Sequence, residues 1–207
     1  MRQRAAGERA VPPIAGVVLA AGASRRFGAQ KLVAPLDGKP LVRWAVERVL
    51  ASPVTTTLVV VGGDAAAVRG ALAGLPVRFV VNDRYAEGLS TSLHAAVRAL
   101  ADEPPRAAVF ALGDQPRVPA VAIGRLVHAF RASGVPIVVP VYAGGVRGHP
   151  VLFAANLFPE LLAVRGDEGA RGVIERDRSR VTAVEIEAPA PRDVDTREEL
   201  EGMEDGV

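Results

Sequence analysis

Apolar residues along this chain fall into two patterns that alternate from one end to the other. Short unbroken runs at 16–21, 57–61, 77–81, 107–112, 137–141 and 181–187 have the length and the Val/Ile/Leu/Ala content of buried strands. Between them, 41–50, 64–73, 89–101 and 119–132 repeat their apolar positions at helical spacing, and further helices open near 156 and near 167. Pro40 suits the first turn of the first helix, and Asp64 is placed to cap the second. The segment Asp193-Val194-Asp195-Thr196 opens a last short helix. Strands that are continuously apolar are covered on both faces, and their alternation with helices predicts an α/β fold: a doubly wound, mostly parallel sheet in three α/β/α layers. In such folds ligands bind beyond the carboxyl ends of the strands. Two polar, glycine-bearing segments follow strand ends here: Gly22 to Lys31 after the first strand, and Gly113-Asp114-Gln115-Pro116 after the fourth.

Composition narrows the chemistry. The chain has 207 residues and no cysteine, so disulfides, thiolate metal sites and thiol nucleophiles are excluded. Its length predicts one domain, 14–207, preceded by a flexible arm over 1–13, where charged residues and Val11-Pro12-Pro13 leave no room for a secretory apolar stretch. No apolar run approaches the roughly 20 residues of a membrane helix, so no membrane partner is expected and the cytoplasm is the default compartment. A net charge of +2 and 4% aromatics are too little for the field and the stacking surface of a nucleic-acid binder, and no nucleic acid is expected. Only Lys31 and Lys39 among the 25 basic residues are lysines.

The most specific stretch is Leu19-Ala20-Ala21-Gly22-Ala23-Ser24-Arg25-Arg26-Phe27-Gly28-Ala29-Gln30-Lys31. Its glycines do not stand at dinucleotide-fingerprint spacing, and no Lys-Ser/Thr pair follows Gly28 as in a Walker A loop. The physics is nonetheless that of a phosphate cradle. Small residues let backbone N–H groups approach an anion, Ser24 adds a hydroxyl, and Arg25, Arg26 and Lys31 add positive charge.

This run resembles the signature loop of nucleoside-triphosphate transferases, L-A-[AG]-G-x-[SG]-x-R-x-G followed by Lys-Leu, with Leu19, Ala20, Ala21, Gly22, Ser24, Arg26, Gly28, Lys31 and Leu32 in those places. Within that group the chain is most similar to the MobA-like enzymes that attach a nucleotide to molybdopterin, above all the molybdenum cofactor cytidylyltransferases. The resemblance runs from Val17 to Leu200 through Gly113-Asp114-Gln115-Pro116, Gly148-His149-Pro150-Val151-Leu152-Phe153, Gly166-Asp167-Glu168-Gly169-Ala170-Arg171 and Asp193-Val194-Asp195-Thr196. It implies a Rossmann-like fold of the nucleotide-diphospho-sugar transferase type. It also implies Mg²⁺-dependent transfer of CMP from CTP to a molybdopterin-type acceptor, with a molybdoenzyme receiving the product.

The resemblance also gives roles to residues. Backbone groups around Gly22, Ala23 and Ser24 hold the phosphates, with Leu19, Ala20 and Ala21 also against the nucleotide; Arg26 meets the β/γ end; Lys31 reaches the α-phosphate. Asp114, at a strand end, holds Mg²⁺, which keeps several waters and bridges one or two carboxylates to phosphates. Asp193 and Asp195 share a side of an extended segment, and the sequence leaves open which of them, if either, joins Asp114 at the metal. Asp195 either completes the metal site or caps the last helix with Thr196 and Glu198. Asn82, Gly88, Ser90 and Ser92 precede or open a helix whose hydroxyls and free N–H groups can read a base or ribose, or simply cap it. Ala21, where guanylyl-transferring relatives tend to have glycine, favours CTP. The acceptor falls to the second half, from about 140 to 207, with His149 and with Arg171 on a helix opened by Asp167. Open beside this are a GTP-using or other-acceptor transferase, an NADPH-dependent oxidoreductase related to a pigment reductase of the same group, and a cofactor-binding chaperone that retains weak catalysis.

Overall fold

The computed structural model describes residues 13–204 except Ala23, Arg25, Arg26, Ala29 and Glu168, and the structural statements below concern these residues. Strand β1 (Ile14–Ala20) is buried at every position. The reason is its place in the sheet: it pairs in parallel with β4 (Thr56–Val61) on one side and with β6 (Ala107–Leu112) on the other, Val17 standing opposite both Leu58 and Phe110. Helices cover both faces, so the alternating side chains of β1 enter two different apolar layers.

Before β4 come a hairpin of β2 (Pro35–Leu36) and β3 (Lys39–Pro40) and then helix α1 (Leu41–Leu50). Helix α2 (Ala65–Ala71) leads to β5 (Arg78–Val81), α3 (Leu89–Ala99) to β6, and α4 (Ala122–Ser133) to β7 (Ile137–Tyr142). The second half adds β8 (Val146–Arg147), β9 (Val151–Ala154), α5 (Phe158–Ala163), α6 (Arg171–Arg176), β10 (Val181–Ile186) and α7 (Arg197–Glu204). Among the described residues the main sheet runs β10-β7-β9-β6-β1-β4-β5, with β8 paired to β7. Strand β9 is antiparallel to both β6 and β7, whereas β1, β4, β5 and β6 are parallel to their neighbours along the first half.

One apolar layer packs Val18, Val59 and Val109 against α1, α2 and α4, through residues such as Val46, Val68 and Leu126. The other packs Val17, Leu58 and Phe110 against α3, α5 and α6, through Leu93, Leu161 and Val173. Gly16 is what lets α1 lie close on β1, because a Cβ there would collide with Val49 Cγ1. The strand order places the chain reversal between β1 and β6, whose connections leave toward opposite edges. That pair of strand ends is where a doubly wound sheet opens a crevice.

Several boundaries differ from the sequence reading. The first strand covers 14–20 rather than 16–21, and the helix expected over 119–132 starts at Ala122 after a turn. Pro40 closes the small hairpin and stands just before α1 rather than inside it. Asp64 holds the N-cap position of α2 without a side-chain capping bond. The helix expected from Asp167 begins only at Arg171, because Asp167 is engaged elsewhere. Strand β9 is an element that the sequence reading treated only as part of a loop motif. Residues 1–12 of the expected arm lie outside the described residues; Pro13, its last residue, offers its carbonyl to the Arg106 N–H at 2.8 Å, at the start of β6.

Candidate active site

The crevice is built from three chain segments. The first is the loop after β1. Ser24, at a φ of 50°, donates its hydroxyl hydrogen to Gln30 Oε1 at 3.0 Å and accepts the Lys31 backbone N–H at 3.2 Å. The Ser24 hydroxyl therefore organises the loop itself. Its donor, expected from the sequence to face a phosphate, is used to seat Lys31. Arg26 and Ala23, assigned to the phosphates from sequence, lie outside the described residues, as does Arg25.

The second segment is the end of β6. The Gly113 N–H donates to Leu19 O at 2.9 Å, and a Cβ at Gly113 would stand 3.2 Å from Ala20 Cβ, so the two loops close on each other here. The third is the late segment at 193–195. The Val194 N–H donates to Asp114 O at 3.1 Å, and Gln115 Nε2 donates to Asp193 Oδ1 at 2.7 Å. These contacts bring Asp195 to the same point as Asp114. Lys31 Nζ donates to Asp114 Oδ2 at 2.7 Å and to Asp195 Oδ1 at 2.9 Å.

The choice left open for Asp195 is thereby decided as far as capping goes. Thr196 and Glu199 form the capping box of α7: Thr196 Oγ1 accepts the Glu199 N–H, while Glu199 Oε2 accepts the N–H groups of Asp195 and Thr196. The Asp195 side chain faces the crevice, where it accepts from Lys31, and Asp193 is turned aside to Gln115.

Lys31 is 8% exposed. Burial alone would push its pKa down, but the charges and hydrogen bonds of Asp114 and then Asp195 outweigh that cost, and the net shift is upward. The group is a firmly protonated cation held between two carboxylates. Asp114 and Asp195 converge on a single positive charge, the geometry that a small divalent ion needs from the protein. No group of three or more His, Asp or Glu that could hold a metal occurs among the described residues. This donor set fits Mg²⁺, which takes one or two carboxylates and fills its remaining positions with water and substrate phosphates.

Around these three residues lies a cavity of about 450 Å³, lined by Leu19, Ala21, Gly22, Ser24, Gly88 and Ser92 together with Lys31, Asp114 and Asp195, all expected from sequence. Three expected nucleotide residues stand behind the wall instead. Ala20 points into the core layer under α1. Asn82 is a brace: its Nδ2 donates to Thr91 Oγ1 at 2.9 Å and to Ser92 Oγ at 3.0 Å, and its Oδ1 accepts the Arg84 N–H. Ser90 is buried, and its N–H donates to Gly166 O at 3.0 Å. The free N–H groups expected at the start of α3 are thus occupied in part, since the Leu89 N–H also donates to Asp167 Oδ1 at 3.1 Å. Gly88 permits this clasp. Its φ is 110°, and a Cβ would stand 2.7 Å from Asp167 Oδ1.

Sequence reasoning missed two polar or aromatic groups of this cavity, Tyr85 and Asp167. Tyr85 lies over Gly62 and Gly63, where a Cβ on Gly62 would come within 2.9 Å of its ring and one on Gly63 would collide with its hydroxyl. The adjacent glycines after β4 were the available signal for an aromatic ring lying flat on the backbone.

A second cavity of about 440 Å³ adjoins the first and shares Leu19 and Leu89 with it. Its walls include Phe110, Val139, Val151, Phe153 and Ile174, and its polar groups are Arg147, His149, Arg171 and Glu175. His149 and Arg171, predicted to meet an acceptor, both line it. The His149 Nδ1 lies 3.5 Å from Phe110 O, and burial holds the pKa of the ring below its ordinary value despite Asp193 and Asp114 nearby. The ring is neutral near pH 7. Tyr142 Oη donates to the His149 carbonyl at 2.6 Å, and burial pushes the phenol up to about 12. Arg171 donates to Glu175 at 2.7 Å one helical turn away.

Residues 16–181 match a family described as the MobA-like NTP transferase domain. Nicotine blue oxidoreductase of Paenarthrobacter nicotinovorans is 30% identical over 201 residues, which are 94% of this chain and 98% of that protein. Molybdenum cofactor guanylyltransferase of Cereibacter sphaeroides is 34% identical over 149 residues, 72% of this chain and 70% of that one. Among solved structures, the homologue of Mycobacterium tuberculosis Rv0371c from Mycobacterium sp. strain JC1 superposes with a TM-score of 0.83 at 33% identity, covering 93% of this chain and 95% of its own. The manganese complex of Rv0371c from Mycobacterium tuberculosis H37Rv gives a TM-score of 0.81 at 29% identity, covering 94% of this chain and all of that one (100%).

Proposed function

Because the chain belongs to the MobA-like NTP transferase family, we propose that it transfers CMP from CTP to molybdopterin or its metal-bearing form and releases pyrophosphate. The observation that carries this reading is the convergence of Lys31, Asp114 and Asp195 in a cavity that adjoins a second, largely apolar one. Nucleotidyl transfer needs two substrates side by side and electrostatic support for charge on phosphate oxygens, and it needs little proton chemistry.

In this reading the triphosphate lies along Gly22 and the loop after β1, with its base toward Tyr85, Gly88 and Ser92. An oxygen of the acceptor's phosphate bonds to the α-phosphorus as the bond from that phosphorus to the β-phosphate oxygen breaks, and pyrophosphate leaves. Lys31, on a flexible stem, follows the α-phosphate and offsets the charge that builds on its oxygens. Asp114 and Asp195 hold Mg²⁺, which when bound neutralises phosphate charge and helps align the reacting groups. The acceptor occupies the second cavity, its ring against Phe110 and Phe153 and its polar edge toward neutral His149, while Arg171 meets its anionic group. That Rv0371c forms a complex with manganese supports a divalent ion as the cofactor of this chain.

CTP is favoured over GTP by Ala21, whose methyl lies in the wall of the first cavity and takes up space that a purine would use. The relatives named guanylyltransferases keep GTP as the donor to be tested against it. A product-receiving molybdoenzyme is the partner this reaction implies, and the cytoplasm is the compartment where both would meet. The name of the oxidoreductase relative supports a second reading, hydride transfer, but the glycine loop lacks the dinucleotide-fingerprint spacing that such chemistry would use. Thermal unfolding in Mg²⁺ with each of the four nucleoside triphosphates and with NADPH separates the readings, because a ligand bound by the folded state alone raises its melting temperature. CTP should give the largest rise. Protection by NADPH alone would overturn the transferase reading.

A further inference from the structure

We propose that Lys31 and the divalent ion compete for one position, so that the free enzyme keeps its own lysine where the metal will sit. This rests on the reading of Asp114 and Asp195 as the metal-holding carboxylates. The ammonium lies 2.7 Å from one carboxylate and 2.9 Å from the other, on the same point at which a shared cation would be held. A divalent ion entering beside an ammonium in that position would meet a like charge a few ångströms away, in a crevice where water screens it poorly. One cation has to leave.

Lys31 is built to be the one that moves. Its backbone is fixed, with its N–H on Ser24 Oγ and its carbonyl accepting the Ala34 N–H at 3.0 Å, while the four-carbon stem leaves the ammonium free to swing. The cavity beside it is lined by Gly22 and Ser24 of the loop after β1, where the triphosphate would lie. The nucleotide therefore supplies both the new partner for Lys31 and the remaining ligands of the metal. Metal alone faces an occupied site, whereas metal with CTP faces an open one. The consequence is ordered loading: the two carboxylates take no ion until a triphosphate is present, and the free enzyme is spared adventitious metal.

The test uses Mn²⁺ alone, titrated into the full chain without nucleotide and followed by the electron paramagnetic resonance signal of the free ion. Removing the competing ammonium in Lys31→Ala should tighten Mn²⁺ binding at least tenfold over the wild type, although the same change disables catalysis. Equal or weaker binding by Lys31→Ala would overturn the exchange. Combining it with Asp114→Asn distinguishes the two levels of the argument. If that double variant binds Mn²⁺ as well as Lys31→Ala does, the metal reading itself fails. If Asp114 matters but Lys31→Ala gains nothing, only the exchange fails. Lys31→Gln carries the same expectation should the alanine variant fold poorly. The wild type offers a separate readout, since its two lysines can be followed by ¹⁵N labelling. Mg²⁺ with CTP should move the Lys31 signal and leave that of Lys39, which is held by Glu47 and Trp44; an unmoved Lys31 signal in the loaded protein contradicts the proposal.

Discussion

Lys31 Nζ lies 2.7 Å from Asp114 Oδ2, across 83 residues of sequence. The contact joins the loop after β1 to the end of β6, two adjacent parallel strands between which the chain reverses direction. A phosphate bound over those strand ends meets a cation and a carboxylate at once.

Lys31→Ala should lower kcat by roughly 10²–10³ while changing KM for CTP only a few-fold, the pattern of an interaction made chiefly in the transition state. Steady-state kinetics at saturating Mg²⁺ checks this. A rise in KM with kcat unchanged would make Lys31 a ground-state anchor.

Asp114→Asn and Asp195→Asn should each raise the Mg²⁺ concentration needed for half-maximal rate, and Asp114→Asn should abolish activity at ordinary Mg²⁺. Asp193→Asn should leave the metal response unchanged, because Asp193 faces Gln115 rather than Lys31. A metal titration of the rate on the three variants separates them.

Asp167→Ala removes the side chain that accepts the Leu89 N–H. Loss of such a cap costs about 1 kcal/mol, so the melting temperature should fall by roughly 2–4 °C for a chain of this size. Leu89 also stands between the two cavities, so KM should rise for both substrates. Calorimetry and kinetics on one variant test both halves.

Burial holds His149 and His94 below the ordinary histidine pKa of 6.5 in the folded chain. The unfolded chain binds those protons first, so stability is fully present above about pH 6.5 and declines as pH falls from there toward the lowered folded values, by at most about 1.4 kcal/mol per pH unit for each histidine. Urea unfolding between pH 7.5 and 5 should show this decline, and His149→Gln should flatten part of it.

Much of the fold was legible because burial on both faces writes strands as unbroken apolar runs, and β1 and β4 fell within a residue or two of expectation. Strand β9 was harder to see. Four residues, Val151–Ala154, are too few to distinguish from a loop by pattern, and only its long-range pairing with β6 and β7 makes it a strand. The hairpin of β2 and β3 did carry a signal, Asp37-Gly38, and both residues take positive φ there. In the site, Asp114 stands out as a carboxylate just past a strand end, and Lys31 as one of two lysines, in the segment after the first strand. The choice between Asp193 and Asp195 does not, because it depends on Gln115 claiming one of them and Glu199 relieving the other of capping. Asp167 was assigned to its own helix because local spacing cannot show a carboxylate reaching back to the start of α3.

The central claim is tested most directly by pyrophosphate release from each nucleoside triphosphate with Mg²⁺ and molybdopterin, read against a blank without acceptor. The account predicts acceptor-dependent release that is fastest with CTP and is lost on chelating the metal. No release above the blank with any of the four donors would contradict it.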